Sequence, residues 1–199
     1  MADTSRYSTK YLRMRNVCLF LIIAMDWFAF DYYLKGYANG FQVGEVFGGP
    51  YFGLFDLCLV HNEGGAFGMF GNASLILGVF SVIVCLIVVV YLVKFAPRSS
   101  VGMTIGLALI FAGGIGNAID RFVYGYVIDY IELIPFDFPV FNLADVGVVC
   151  GVIIAVFAFL REGQQQALRR IEAEQAEAKR NAPPKPKPTF PTLDDEDDD

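Results

Sequence analysis

Histidine and tryptophan occur once each in this chain, and its four cysteines are scattered without a C-x-x-C spacing. Little is left for a metal site or a disulfide framework. Cys18, Cys85 and Cys150 fall inside apolar runs and Cys58 alone outside them, as expected of small hydrophobes packed in helices. Charge is scarce too. Only 18% of residues are charged while 55% are apolar and 15% aromatic, a balance that excludes an ordinary soluble domain. The formal net charge of −6 comes entirely from the six acidic residues at 194–199. Acidity is thus a property of the tail and says little about partners.

What the chain does have is long apolar runs. Four of them, at about 17–34, 73–93, 101–119 and 141–160, each approach the ~20 residues an α-helix needs to cross the hydrocarbon core. In lipid the backbone must satisfy its own polar groups, so runs of this length form helices. The first is preceded by Arg6, Lys10, Arg13 and Arg15 in the manner of a cleaved leader, yet it contains Asp26 and Asp31 and no small-x-small site follows. It reads as a retained helix. Basic residues in short flanks set orientation. The N-terminal arm, the second connection (Lys94, Arg98) and the stretch after the fourth run (Arg161, Arg169, Arg170) are basic, while the other two connections hold only Lys35 and Arg121. Both termini are therefore expected in the cytoplasm, with the loops 35–72 and 120–140 outside.

The first outer loop, FQVGEVFGGPYFGLFDLCLVHNEGGAFGMF, places Gly48, Gly49 and Pro50 between two β-prone stretches. That predicts a small hairpin on the membrane surface. The expected fold class is an all-α membrane protein of four transmembrane helices, with a small extracytoplasmic β-hairpin or sheet between the first two. His61 reads as an exposed polar residue. Gly102 and Gly106 form a small-xxx-small pair, which Gly113, Gly114 and Gly116 extend, and their default role is close helix packing. After residue 160 the chain has helix formers but no sustained apolar stripe, and then a proline-rich, acidic end of disordered composition.

Charged side chains at membrane depth cost about 2.5–3.5 kcal/mol even on a lenient insertion scale, so acids inside these runs need a reason. The third helix runs outward and the fourth inward, which gives their joined ends one depth. Asp120 and Asp129 follow the third run there, and Asp145 opens the fourth. Asn142 stands three residues before Asp145 and Asn117 three before Asp120, a spacing that puts amide and carboxylate on one helical face. The cluster is either a hydrogen-bonded patch holding helices together or an acid–base pair. Two close carboxylates in a partly dry site cannot both ionise readily, so one keeps its proton. The ionised member can then deprotonate water while the other protonates an amide, without a metal.

In DWFAFDYYLKGY, Asp31 and Lys35 are spaced i, i+4 in the favourable order for an ion pair. The alternative is a snorkelling pair within an aromatic belt of Trp27, Tyr32, Tyr33 and Tyr37. Asp26 lies deeper and has no evident partner.

These motifs resemble a family. NEGGAFG after the first outer loop, GNAIDRFVYGYVIDYIE after the third helix and FNLAD opening the fourth resemble the three signature blocks of lipoprotein signal peptidase (signal peptidase II). DYYLK resembles the family's D-x-x-x-K. The resemblance spans about residues 14–162. It implies an intramembrane aspartic endopeptidase that cleaves signal peptides from bacterial prolipoproteins before a cysteine carrying diacylglycerol, with no cofactor and no metal. It implies that Asp129, closing G-x-V-x-D, and Asp145, closing F-N-x-A-D, are catalytic, where spacing alone left Asp120 as good a candidate as Asp129. Asp120 and Arg121 become supporting residues. Asn62, Gly65, Asn117, Asn142 and Ala144 match positions lining the site, and Asp31 and Lys35 gain a site-shaping role. Tyr32, where the family usually has Gln, and Gly65, often Ala in the family, are departures that bear on substrate preference.

The expected organisation is a basic cytoplasmic arm (1–16), a four-helix catalytic domain (17–160) and a cytoplasmic tail (161–199). A likeness to this family places the protein in the bacterial inner membrane as a monomer, acting on lipid-modified precursors among membrane lipids, with its site at the outer leaflet and no nucleic-acid role. Two other readings use the same acids. One is a lipid-modifying enzyme holding Mg²⁺ with Asp120, Asp129, Glu132 and Asp145. The other is a non-enzymatic helix bundle whose acids relay protons.

Overall fold

A computed structural model describes residues 8–64 and 73–181. The element order is α1 (Thr9–Ala38), β1 (Val46–Tyr51), β2 (Phe55–Asn62), α2 (Ala73–Phe95), α3 (Val101–Val123), β3 (Val127–Leu133) and α4 (Leu143–Asn181). All four helices are long and apolar enough to cross a membrane. The chain is a multi-pass helical membrane protein with a small antiparallel sheet.

α3 is the central helix. Its apolar window is 56% buried, against 17–22% in the other three. Small residues explain the difference, because they let neighbouring backbones close in. A Cβ on Gly106 would meet Gly151 O and Ala155 N of α4, each at 2.7 Å, and one on Gly113 would run into the Ala144 carbonyl. Gly114 faces Cys85 of α2, and Gly116 faces the Asp31 carboxylate of α1. On the other flank, Phe20 and Ala24 of α1, Val88 and Leu92 of α2, and Ala108 and Ala112 of α3 form an apolar core. Buried Asn16 closes one end of this bundle by donating to Ala96 O at 2.7 Å and Ser99 O at 2.8 Å in the α2–α3 connection.

The helices outrun the apolar runs wherever polar residues can continue the hydrogen-bond ladder. α1 begins at Thr9, capped by the Ser8 hydroxyl, inside the basic arm. α3 reaches Val123, so Asp120 lies within the helix and does not follow it. α4 starts only at Leu143, which leaves Asn142 as the residue just before it. The chain divides into two compact units after Arg161. The second begins with a helical stretch to Asn181 whose described side chains are mostly exposed.

The expected hairpin is β1–β2. A third strand, β3, joins it to give the order β1-β2-β3. It comes from the α3–α4 connection, which periodicity had not marked as a strand. β2 and β3 pair from Phe55↔Leu133 to Asn62↔Val127, with a register shift between Leu57 and Val60. That β-bulge realigns the far half of the pair and sets Val60 opposite Asp129 and Asn62 opposite Val127. Ala38, Leu59, Ile128 and Tyr130 form the core beneath the sheet.

Candidate active site

Asp129 sits in β3 and is 1% exposed. Its Oδ1 accepts from Asn142 Nδ2 at 2.7 Å and its Oδ2 from Asn62 Nδ2 at 2.9 Å. Asn62 is oriented for this, because its own Oδ1 accepts the Gly64 N–H at 2.9 Å. Burial pushes the Asp129 carboxyl up to about 7. The Asn62 hydrogen bond opposes that rise, the Asp145 charge adds to it, and Lys35 and Asn142 oppose it.

Asp145 occupies the first turn of α4. Asn142 Oδ1 accepts the Asp145 N–H at 3.0 Å, while Asp145 Oδ2 accepts the Asn142 N–H at 3.1 Å. This is a reciprocal capping box with Asp in the place usual for Glu or Gln. The helix dipole favours an anion there. The other oxygen, Oδ1, accepts from Asn117 Nδ2 at 2.8 Å. Asn142 therefore touches both carboxylates, one through its side-chain amide and the other through its backbone. Asn117 does not pair with Asp120 as its i, i+3 spacing suggested; it reaches across to α4.

Asn117 is held in this orientation from α1. Its Oδ1 accepts from Lys35 Nζ at 2.7 Å and from Asn142 Nδ2 at 3.0 Å. An ammonium only donates, so the amide oxygen must face Lys35 and the NH₂ must face Asp145. Lys35, 3% exposed, spends its remaining donors on Asp31 at 3.0 Å and Asp120 at 2.9 Å. These acids bind backbone in turn. Asp31 Oδ1 accepts the Ala144 N–H at 2.9 Å, and Asp120 Oδ2 lies 3.4 Å from the Ile128 N–H. One buried cation thereby ties α1 and α3 to the start of α4 and to β3. The i, i+4 pair is a buried hub and not a snorkelling one.

Trp27 is likewise not part of an aromatic belt. It donates to Leu143 O at 3.1 Å and packs on Gly147, pinning α1 against the first turns of α4. Tyr130, whose hydroxyl accepts the Leu143 N–H at 3.3 Å, supports the same turn from the sheet. The sequence suggested a belt role for Trp27 and did not single out Tyr130, because aromatics near a membrane boundary have a simpler use. Arg121 donates to Asn117 O at 3.2 Å, and its Nε is buried without a partner. It shares with Asp145 and Asn117 a cavity of ≈ 220 Å³ between α2, α3 and α4, whose remaining lining combines Ser81 of α2 with glycines of α3 and valines of α4. A larger apolar cavity of ≈ 280 Å³ lies under the sheet, away from both aspartates. Gly65 lies outside the described residues.

The four acids of the Mg²⁺ reading do not gather. Glu132 lies opposite Asp56 and beside Cys58, on the other face of β3 from Asp129, and Asp120 is committed to Lys35. Among the described residues no three His, Cys, Asp or Glu side chains are placed to share an ion.

A buried carboxyl, Asp129, and a half-buried one, Asp145, linked by amides where membrane helices meet a small sheet, have the chemistry that an aspartic peptidase embedded in a membrane would need. Comparison with known proteins agrees. Residues 19–161 match the family described as Signal peptidase (SPase) II, and the chain belongs to that family of aspartic-type peptidases. It is 36% identical over 150 residues to a lipoprotein signal peptidase of Moorella thermoacetica, covering 74% of this chain and 96% of the relative. It is 39% identical over 116 residues to one of Clostridium acetobutylicum, covering 56% and 75%. Among solved structures it is similar to a bacterial membrane enzyme determined by the in meso method at 2.3 Å resolution. The TM-score is 0.65 at 28% identity, over 73% of this chain and 90% of the other.

Proposed function

We propose that Asp129 and Asp145 are the catalytic pair, and that the chain cleaves signal peptides from diacylglyceryl-modified prolipoproteins just before the lipidated cysteine. The observation that carries the assignment is Asn142, hydrogen-bonded to both carboxylates. Of the two, Asp129 is suited to hold the proton, because it is buried in the sheet and its carboxyl is pushed up to about 7. Asp145 is suited to act as base, with two N–H donors at its oxygens and a helix N-terminus behind it.

In the reaction, Asp145 takes a proton from water as the water oxygen bonds to the scissile carbonyl carbon. Asp129 gives its proton to the carbonyl oxygen. Collapse of the gem-diol breaks the C–N bond as Asp145 gives the proton it took from water to the departing nitrogen and Asp129 takes back a proton from one hydroxyl, which restores the pair. Asn62, Asn117 and Asn142 aim the carboxylates. Asp31, Lys35 and Asp120 fix those amides and the Ala144 backbone, and Arg121 faces the cavity beside Asp145.

The basic flanks support both termini in the cytoplasm of a bacterial inner membrane, which puts the site at the outer leaflet. The cavity beside Asp145 lies between membrane helices, the side from which an apolar signal helix in the bilayer would bring its scissile bond. We assign the tail beyond Arg161, which forms a separate compact unit, no catalytic part. The test is incubation of the purified protein with a diacylglyceryl-modified precursor and with its unlipidated form. Cleavage confined to the lipidated form is expected. Cleavage of neither by correctly inserted protein would overturn the peptidase reading, and equal cleavage of both would overturn the lipid requirement.

A further inference from the structure

Ser81 takes no part in the scheme above, yet it lines the cavity beside Asp145. Between Leu75 and Val90 of α2 its hydroxyl is the only side-chain oxygen or nitrogen. Gly78, Ser81 and Cys85 stand at i, i+3 and i+7, one stripe of the helix. That stripe meets α3. A Cβ on Gly78 would lie 3.3 Å from Arg121 Cβ, one on Gly114 would lie 3.9 Å from Ser81 O, and Cys85 Sγ is 3.6 Å from Phe111 O. Ser81 is therefore level with Gly114, on the side of α2 that faces the cavity.

A serine or threonine hydroxyl in a helix commonly bonds back to the carbonyl one turn earlier. Ser99, just past α2, and Thr104 of α3 do this, to Phe95 O and Ser100 O at 3.0 Å each. Ser81 makes no hydrogen bond among the described residues. A signal peptide supplies an acceptor for it. An amide inside a helix has its carbonyl already bonded, so the peptide must unwind where it is cut, and carbonyls freed away from water are costly without a donor. Two side-chain donors of the cavity wall hold neither carboxylate, Ser81 and Arg121, and Arg121 already bonds Asn117 O.

Depth selects the carbonyl. Gly114 stands three residues before Asn117 on a helix that runs outward, about 4.5 Å deeper at 1.5 Å per residue, and Asn117 holds Asp145. An extended chain advances roughly 3.5 Å per residue. Ser81 is thus about one residue deeper than the bond under attack, on the signal-peptide side. We infer that the Ser81 hydroxyl donates to the carbonyl of the residue just before the scissile one in the bound precursor. It is a substrate-positioning residue, and the inference rests on the catalytic pair proposed above. The bond forms when the unwound peptide binds and persists into the transition state, so its loss is read in KM and not in kcat.

The experiment is cleavage of a synthetic diacylglyceryl-modified precursor peptide by the purified full chain in detergent. Ser81→Ala should raise KM about tenfold, with kcat within about twofold and the melting temperature unchanged. A second peptide carries a thioamide, a weaker acceptor, at the chosen carbonyl. It should raise KM of the unaltered chain about fivefold and leave that of Ser81→Ala as it was, because the donor is already gone. An unchanged KM in Ser81→Ala, a fall in kcat alone, or an equal thioamide effect in both proteins would overturn the inference while the catalytic pair stands. Failure of the unaltered chain to cleave either peptide would instead overturn the peptidase reading beneath it.

Discussion

Lys35 and Asn117 meet at 2.7 Å, ammonium to side-chain carbonyl, and the far end of the same amide holds the Asp145 carboxylate at 2.8 Å. A cation on α1 thus governs a carboxylate on α4 that it does not touch. Lys35→Met should leave Asp31 and Asp120 buried without their counter-charge, destabilising the protein by about 3–5 kcal/mol. It should also free the Asn117 amide to turn, with loss of cleavage beyond that due to unfolding. Lys35→Arg should not restore activity, because a planar guanidinium cannot meet three acceptors arranged around one nitrogen. Thermal melts in detergent, read beside the cleavage rate of the folded fraction, separate the two effects.

Asp129→Asn and Asp145→Asn should each reduce precursor cleavage by about a thousandfold, within the range for loss of general acid–base catalysis. The double variant should be scarcely worse than either single one, since the two act as a unit. Single-turnover cleavage measures this. Near-normal turnover by either variant would remove that residue from the pair.

The rate should fall as pH rises through about 7, where Asp129 loses the proton it donates. The Asn62 amide favours the anion, so Asn62→Ala should move this alkaline limb to higher pH while lowering the maximal rate. Stability has a related sign. The folded protein holds the Asp129 proton more tightly than the ordinary value of 3.8 allows. That contribution is complete below about pH 4 and is lost as pH rises through about 7. Profiles of rate and melting temperature test both, and an alkaline limb unmoved in Asn62→Ala would contradict the assignment.

Gly113→Ala should destabilise the protein by about 1–3 kcal/mol, because its Cβ would run into the Ala144 carbonyl at the turn carrying Asp145. Gly163→Ala has open space in the helical extension and should be neutral or stabilising by up to about 1 kcal/mol. Melting temperatures of the two variants provide the comparison.

Chelators should leave the rate unchanged. Each oxygen of the two aspartates already accepts an N–H from Asn62, Asn117 or Asn142, and among the described residues no third acid, His or Cys is placed to help them hold a divalent cation. Loss of cleavage in EDTA, restored by Mg²⁺, would contradict this.

The membrane helices were legible because ~20 apolar residues in lipid have few other forms. The position of the acids was legible because charge inside such runs is costly. The partners were not. Asn117 stands three residues before Asp120 and suggested a local pair, but close packing of α3 on α4 through Gly106 and Gly113 brings Asp145 within its reach. Asn142 appeared to share a helical face with Asp145, and the helix starts one residue later, which makes it a cap. β3 was missed because VIDYIEL is buried at Ile128, Asp129 and Tyr130 in succession and so lacks the polar–apolar alternation of a half-exposed strand. Asp129 could be selected over Asp120 only through the family resemblance. The sequence shows nothing of the bulge between Leu57 and Val60 that aligns Asn62 with the site.

The strand bearing Asp129 pairs with one made before α2, and the amide that reads both acids precedes the last helix. During synthesis, therefore, three hydrophobic segments can be threaded into the bilayer while the peptidase is still chemically silent. On the proposed pairing, Asp145 and the Asn142 that caps its helix come last in the chain, so the circuit of amides closes only with the fourth segment in place.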